Sequence, residues 1–166
     1  MKSKILAAVL LLIITAANSV SYSQNFLAIR EVSIAASFQQ ISVDKNFQLV
    51  LIQNPNKSSV TIAGDEKNVH DVEINIINDQ LVITSRKKIN TGKIIVYVPV
   101  KALSLIKLGR GASVSGEGVL KFDDLIVVVN NDSQIDLKAL GNIVVEPADG
   151  CEFVYEKDER FKIVYQ

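Results

Sequence analysis

Between Leu103 and Glu146 one short aliphatic motif recurs three times, and this recurrence restricts the possible folds more than any other feature of the chain. Leu103-Ser-Leu-Ile-Lys-Leu108 is followed by Leu125-Ile-Val-Val-Val129 and then by Ile143-Val-Val145, with starts 22 and 18 residues apart. Gly109-Arg-Gly111, Asn130-Asn-Asp-Ser133 and Gly141-Asn142 punctuate the runs. A strand motif repeating every ~20 residues marks stacked β-coils, in which each unit buries its apolar face only against its neighbours. The pattern predicts that Leu105, Leu108, Val127 and Val145 share one interior column. It speaks to architecture and leaves the chemistry open.

Upstream of the repeat, apolar residues alternate with polar ones or run in short bursts bounded by Gly, Asn, Asp and Pro. No stretch after the N-terminal segment keeps a helical period long enough for a stable helix. Strands are expected at Phe38–Val43, Phe47–Ile52 and Val60–Ile62, the first two joined by Asp44-Lys-Asn46. Asp65 suits an N-cap for a short helical turn over Asp65–Asp71. Val72–Ile77 and Leu81–Thr84 flank Asn78-Asp79, a pair that tolerates positive φ and so suits a tight hairpin. Lys93–Val98 is a strand that Pro99 closes, because proline cannot donate to a ladder. Residues 26–98 therefore read as an antiparallel or mixed β lead-in, and residues 100–146 as the coils. Phe153-Val-Tyr155 and Phe161–Tyr165 form a terminal strand pair able to cap the open end of the stack. The expected fold is all-β, a short parallel β-helix or β-solenoid-like stack with that lead-in and that capping pair.

Met1-Lys-Ser-Lys4 is basic, Ile5–Ala17 is an uncharged run of 13 residues, and Ser21-Tyr-Ser23 puts small residues where a signal peptidase cuts. Residues 1–23 therefore read as a secretory signal. A bilayer core needs ~20 apolar residues, so the run is too short to be a membrane span. Residues 24–166 then make a single β-solenoid-like domain, exported to the periplasm, the outer surface or the medium. Without Lys2 and Lys4 the 18 basic residues fall to 16 against 18 acidic ones, a net charge of −2. That balance steers the domain to no nucleic acid and no anionic surface. Arg86-Lys87-Lys88 is a basic cluster with the character of a solvated strand end. Cys151 is the only cysteine, which excludes an internal disulfide; it reads as a small buried apolar residue, with intermolecular pairing as the alternative.

Phe38-Gln-Gln-Ile-Ser-Val43, Phe47-Gln-Leu-Val-Leu-Ile-Gln53 and Val60-Thr-Ile-Ala-Gly-Asp-Glu66 occur in that order. Val72-Glu-Ile74 with Asn78-Asp-Gln-Leu-Val-Ile83, and Val96-Tyr-Val-Pro-Val100 with Leu105–Val114, continue the series. In this order the pieces resemble the putative auto-transporter adhesin head domain family, the GIN domain of exported proteins in Bacteroidetes-type bacteria. The similarity runs from Phe38 to near Ala148. The resemblance implies an all-β fold like a parallel β-helix outside the cytoplasm, and it brings no catalytic or binding residue with it. Two departures stand out: Gly109-Arg-Gly111 replaces the family's Ser-Gly-Ser-Gly-like turns, and the coils end near Glu146, too few for a long shaft.

The residue types needed for catalysis are sparse. His70 is the only histidine, so two-histidine metal sets are excluded. No Gly-x-Ser-x-Gly nucleophile elbow occurs. Asp65-Glu66 and Asp123-Asp124 are adjacent in sequence, and neighbouring strand residues point to opposite faces, which makes them poor partners across a glycosidic bond. Asp124 and Asp136 would face one another only from equivalent positions on facing coil sides. Asn130-Asn-Asp-Ser-Gln134 supplies oxygens but lacks calcium-loop spacing. Gly109-Arg-Gly111 and Gly116-Glu-Gly118 lack the residues of a phosphate loop and read as corners. The expectation is a non-enzymatic cell-envelope or surface module with no cofactor and no metal. Its binding face would carry Ser113, Ser115, Ser133, Gln134, Asp136 and Lys138, contacting glycan or an envelope protein weakly and multivalently. The alternatives are a polysaccharide lyase or hydrolase, which would draw on Asp123, Asp124, Asp136 and Lys138, and a purely structural assembly domain.

Overall fold

The computed structural model describes residues 27–54, 56–89, 92 and 94–150. The expected signal at residues 1–23, the capping strands at Phe153–Tyr155 and Phe161–Tyr165, and Cys151 lie outside the described residues. The protein is all-β. The ten strands among the described residues form one sheet of mixed orientation that curls into a nearly closed, barrel-like wrap.

The strands are β1 (Leu27–Ser33), β2 (Gln40–Val43), β3 (Phe47–Ile52), β4 (Ser59–Asp65), β5 (Val72–Ile77), β6 (Gln80–Ser85), β7 (Ile94–Pro99), β8 (Leu105–Leu108), β9 (Ser113–Val129) and β10 (Gln134–Pro147). A single helical turn, α1 (Glu66–Val69), follows β4. As expected, Asp65 is its N-cap, with the carboxylate accepting from Lys67 N at 3.0 Å. Asn78 and Asp79 take φ of 50° and 60° and close the β5–β6 hairpin. β7 ends at Pro99.

Parallel pairing dominates the middle of the sheet. β2 lies between β6 and β8, and β8 pairs with the end of β9 around Ile126. β3 lies between β7 and the start of β9. β10 follows β9 in parallel along nearly its whole length, with register shifts between Asp136 and Lys138 and between Leu140 and Asn142. β9 and β10 therefore each pass from one ladder to the other. The runs at Leu125–Val129 and Ile143–Val145 are the far ends of these two long strands. Parallel ladders also begin at β2 and β3, so the expected boundary at the central proline is not a structural one. The antiparallel pairs β1–β4, β4–β7 and β5–β6 lie on its flanks.

The turns of the ladders are built alike. Asn46, Gly111, Asp132 and Gly150 take φ of 64°, 66°, 63° and 76°. Each stands three residues past the end of its strand, at Val43, Leu108, Val129 and Pro147. Gly and Asn or Asp are the residues that enter this conformation at least cost. Backbone hydrogen bonds stack the turns: Gly109 N donates to Val43 O at 2.8 Å, Asn46 N to Arg110 O at 3.1 Å, and Gly111 N to Asn131 O at 3.0 Å. A Cβ on Gly109 would sit 2.7 Å from Asp44 C and Lys45 N, so close stacking excludes a side chain there.

Register sets the core. Leu81, Ile41, Ile106, Val127 and Val145 are successive partners in one ladder, and Ile62, Val96, Leu49 and Val114 in the other. All nine are buried in one cluster. Burying each such side chain contributes about 1.5–3 kcal/mol. The expected interior column holds Leu108, Val127 and Val145 but not Leu105. Leu105 points outward beside Ile126, and Ile106 takes the inward place. The reason is strand parity: residues three apart point to opposite faces, so Leu105 and Leu108 cannot both face inward. Among the described residues no polar or charged side chain is fully buried.

Candidate functional site

The outward face of the β3 ladder sets polar side chains among aliphatic and aromatic ones. Successive partners set Ile95, Gln48, Ser113 and Gln134 in one row, and Tyr97, Val50, Ser115 and Asp136 in the next. Neighbouring strands stand ~4.8 Å apart, so Gln48, Ser113 and Gln134 follow one another at the spacing of the backbone ladder, as do Ser115 and Asp136. Gln134 and Asp136 are exposed at the β10 edge, while Gln48, Tyr97, Ser113 and Ser115 are half-buried.

Of the six residues expected on a binding face, Ser113, Ser115, Gln134 and Asp136 come together here. Ser133 stands in the turn, half-buried, its hydroxyl donating to Gly109 O at 3.1 Å. Lys138 lies past the register shift opposite Val119. Gln48 and Tyr97 escaped the sequence reading. They belong to the stretch read as lead-in, and only long-range register joins them to Ser113.

At the other end of the ladders a cleft of about 600 Å³ opens between Gln39, Gln53, Lys101, Lys121, Asp123 and Asp124. Gln53 closes one side by acting as a strand partner: Lys121 N donates to its Oε1 at 2.8 Å, and its Nε2 donates to Lys121 O at 3.1 Å. Asn142 Nδ2 donates to Asp124 Oδ1 at 2.9 Å. Gly141, at φ 121°, passes so close to Phe122 that a Cβ would lie 1.7 Å from its carbonyl oxygen.

The acids considered for glycosidic chemistry do not converge. Asp123 and Asp124 are exposed on the cleft wall. Asp124 is in register with Asn142, whereas Asp136 is in register with Ser115 on the other ladder. Lys138 is exposed elsewhere on β10. His70 is exposed at the C-cap of α1, where its carbonyl accepts from Arg30 Nη1 at 3.3 Å. Arg30 Nη2 also donates to Val72 O, tying β1 across the helix. Asn130 takes part in its own turn, accepting from Asn131 N at 2.9 Å through its side chain and from Ser133 N at 3.1 Å through its carbonyl. Among the described residues no three His, Cys, Asp or Glu side chains gather where a metal ion could bind. The Glu73 carboxylate, 2.5 Å from Arg86 Nε, raises the pKa of that exposed guanidinium by hydrogen bond and charge.

A family described as "Putative auto-transporter adhesin, head GIN domain" matches residues 37–151. The chain belongs to this family. Solved structures give the same fold. A "putative adhesin" from Parabacteroides distasonis superposes with a TM-score of 0.59 at 22% identity, covering 75% of this chain and 57% of that one. One from Bacteroides fragilis gives 0.58 at 18% identity, covering 75% and 59%. One from Parabacteroides merdae gives 0.53 at 21%, covering 74% and 57%. The chain thus spans less than two thirds of the length of each of these structures. No curated protein matches it. Among the described residues of this GIN-domain protein, no helix is long and apolar enough to cross a membrane.

Proposed function

We propose that this GIN-domain protein is an exported, non-catalytic adhesive module that makes weak, repeated contacts with glycan or protein through the outward face of its β3 ladder. In this reading residues 1–23 direct export, residues 24–166 act as one domain, and the parallel ladders are a short β-solenoid. The four turns that each place a left-handed residue three positions past a strand end, at Asn46, Gly111, Asp132 and Gly150, support the solenoid assignment.

The observation that carries the functional reading is the register that aligns Gln48, Ser113 and Gln134 beside Val50, Ser115 and Asp136. A regular field of mostly short side chains, polar at most of its positions, offers many similar small contacts. Such a surface gains strength by repetition rather than by a single deep site. The family to which the chain belongs supports a surface role, and the scattered acids favour binding over hydrolysis.

The test is a glycan array and an envelope pull-down with the exported chain, alongside a variant carrying Ser115→Lys, Gln134→Lys and Asp136→Lys. Retained partners in the parent and loss of them in the folded variant are expected. Identical partner profiles for the two would overturn the reading. Protease accessibility on intact cells assigns the compartment: cleavage at the surface is expected, and complete protection would move the role inside the envelope.

A further inference from the structure

We propose that the turn between β2 and β3 holds a second binding site, selective for an anionic group on a sugar. A cavity of about 220 Å³ opens beside this turn. Its lining includes Lys45, Lys87, Lys88 and Ser85, with Phe47 and Ile89 as an apolar wall. In sequence, Arg86-Lys87-Lys88 reads as a solvated strand end. Register changes that meaning. Val43 pairs with Ile83, so the chain leaves β2 and β6 side by side, and Asp44 N donates to Ile83 O at 3.0 Å. Lys45 is thereby carried to the basic run. Arg110 holds the equivalent place in the next turn, where its carbonyl accepts from Asn46 N.

The cations differ in what they already hold. Arg86 is engaged by Glu73 at 2.5 Å and Lys87 by Asp71 at 3.2 Å. Lys45 and Lys88 are exposed and have no ion-pair partner among the described residues. Asp44 also lines the cavity, but its carboxylate turns to its own backbone and accepts from Lys45 N at 2.8 Å. Ser85 stands against the cavity with its hydroxyl shielded from solvent. An anionic ligand oxygen would meet the two ammonium groups of Lys45 and Lys88, which bind as point charges without demanding one orientation.

A carboxylate or sulfate on a sugar ring fits this set. The anionic oxygens face Lys45 and Lys88, and the ring packs on the half-buried Ile89. An uncharged sugar would leave the lysines no better satisfied than water does. The choice of a glycan as carrier rests on the adhesive reading above; the anion selectivity rests on the cavity alone.

The exported chain is titrated with an oligogalacturonate, a sulfated oligosaccharide, an uncharged oligosaccharide of equal length, and phosphatidylglycerol vesicles. Binding of at least one acidic oligosaccharide and not of the uncharged one is expected, weakening as salt rises. The double variant Lys45→Gln, Lys88→Gln weakens it by about tenfold or more. Lys107→Gln, which removes an exposed cation outside the cavity, leaves it unchanged, so the loss is not one of overall charge. The proposal is overturned by no binding of either acidic oligosaccharide, by binding that survives the lysine substitutions, or by a preference for the vesicles. Lys45 and Lys88 are exposed, so folding does not depend on them.

Discussion

Gly141 and Gly118 separate two reasons for a glycine. At Gly141 a side chain meets the Phe122 carbonyl at 1.7 Å and the backbone is left-handed. Gly118 has φ 81° but open space around it. Gly141→Ala is expected to destabilise the protein by more than about 3 kcal/mol, because both steric overlap and backbone strain apply. Gly118→Ala should cost only about 1–2 kcal/mol, the strain alone. Denaturant unfolding of the two variants measures the difference, and equal costs would contradict the close approach at Gly141. At this scale the sequence was partly readable. Asn78-Asp79 and Asp65 carried their roles on their face, since both act within a few residues of the chain. Gly141 read as a turn residue like any other, and its constraint comes from a carbonyl 19 positions earlier.

Strand parity decides which aliphatics hold the sheet together. Ile106 is fully buried and Leu105 is not. Ile106→Ala should cost about 2–5 kcal/mol, and Leu105→Ala less than about 1 kcal/mol. A shift in thermal or denaturant midpoint for Leu105→Ala as large as that for Ile106→Ala would mean that β8 is rotated by one residue. Pairing also ranks the strands. β3, β8 and β9 are hydrogen-bonded on both sides, whereas β1 and β5 lie at the ends of the strand order. Amide hydrogen exchange should therefore be slowest in β3 and β9 and fastest in β1 and β5. Most strands were visible from alternation and turn chemistry. The joining of Gly116–Gly118 into the 17-residue β9 was not, because glycines that look like a corner instead let a long strand pass between two ladders.

The whole molecule is assembled from pairings distant in sequence: Gln40 with Gln80 and Leu105, and Gln48 with Ile95 and Ser113. Such topology closes long loops before any contact compensates them, so refolding should take milliseconds to seconds. One contiguous core spans both ladders, and equilibrium unfolding should be a single transition by fluorescence and by circular dichroism. Refolding within microseconds, or separate transitions for β1–β4 and for the rest, would contradict this. The candidate surfaces show the same division. That Ser113, Ser115, Gln134 and Asp136 share one face was legible in sequence because they repeat within one coil spacing. Gln48 and Tyr97 on the same face, and Lys45 beside Lys87 and Lys88, were not. The amino-acid order alone determined an all-β chain, its strand sites, its turn chemistry and its family, because each depends on local periodicity or on motifs read in sequence. Only the tertiary structure decided which strands are neighbours and which aliphatics face inward. Register is chosen by burial across the whole sheet, and a slip of one residue exchanges the inner and outer faces of a strand.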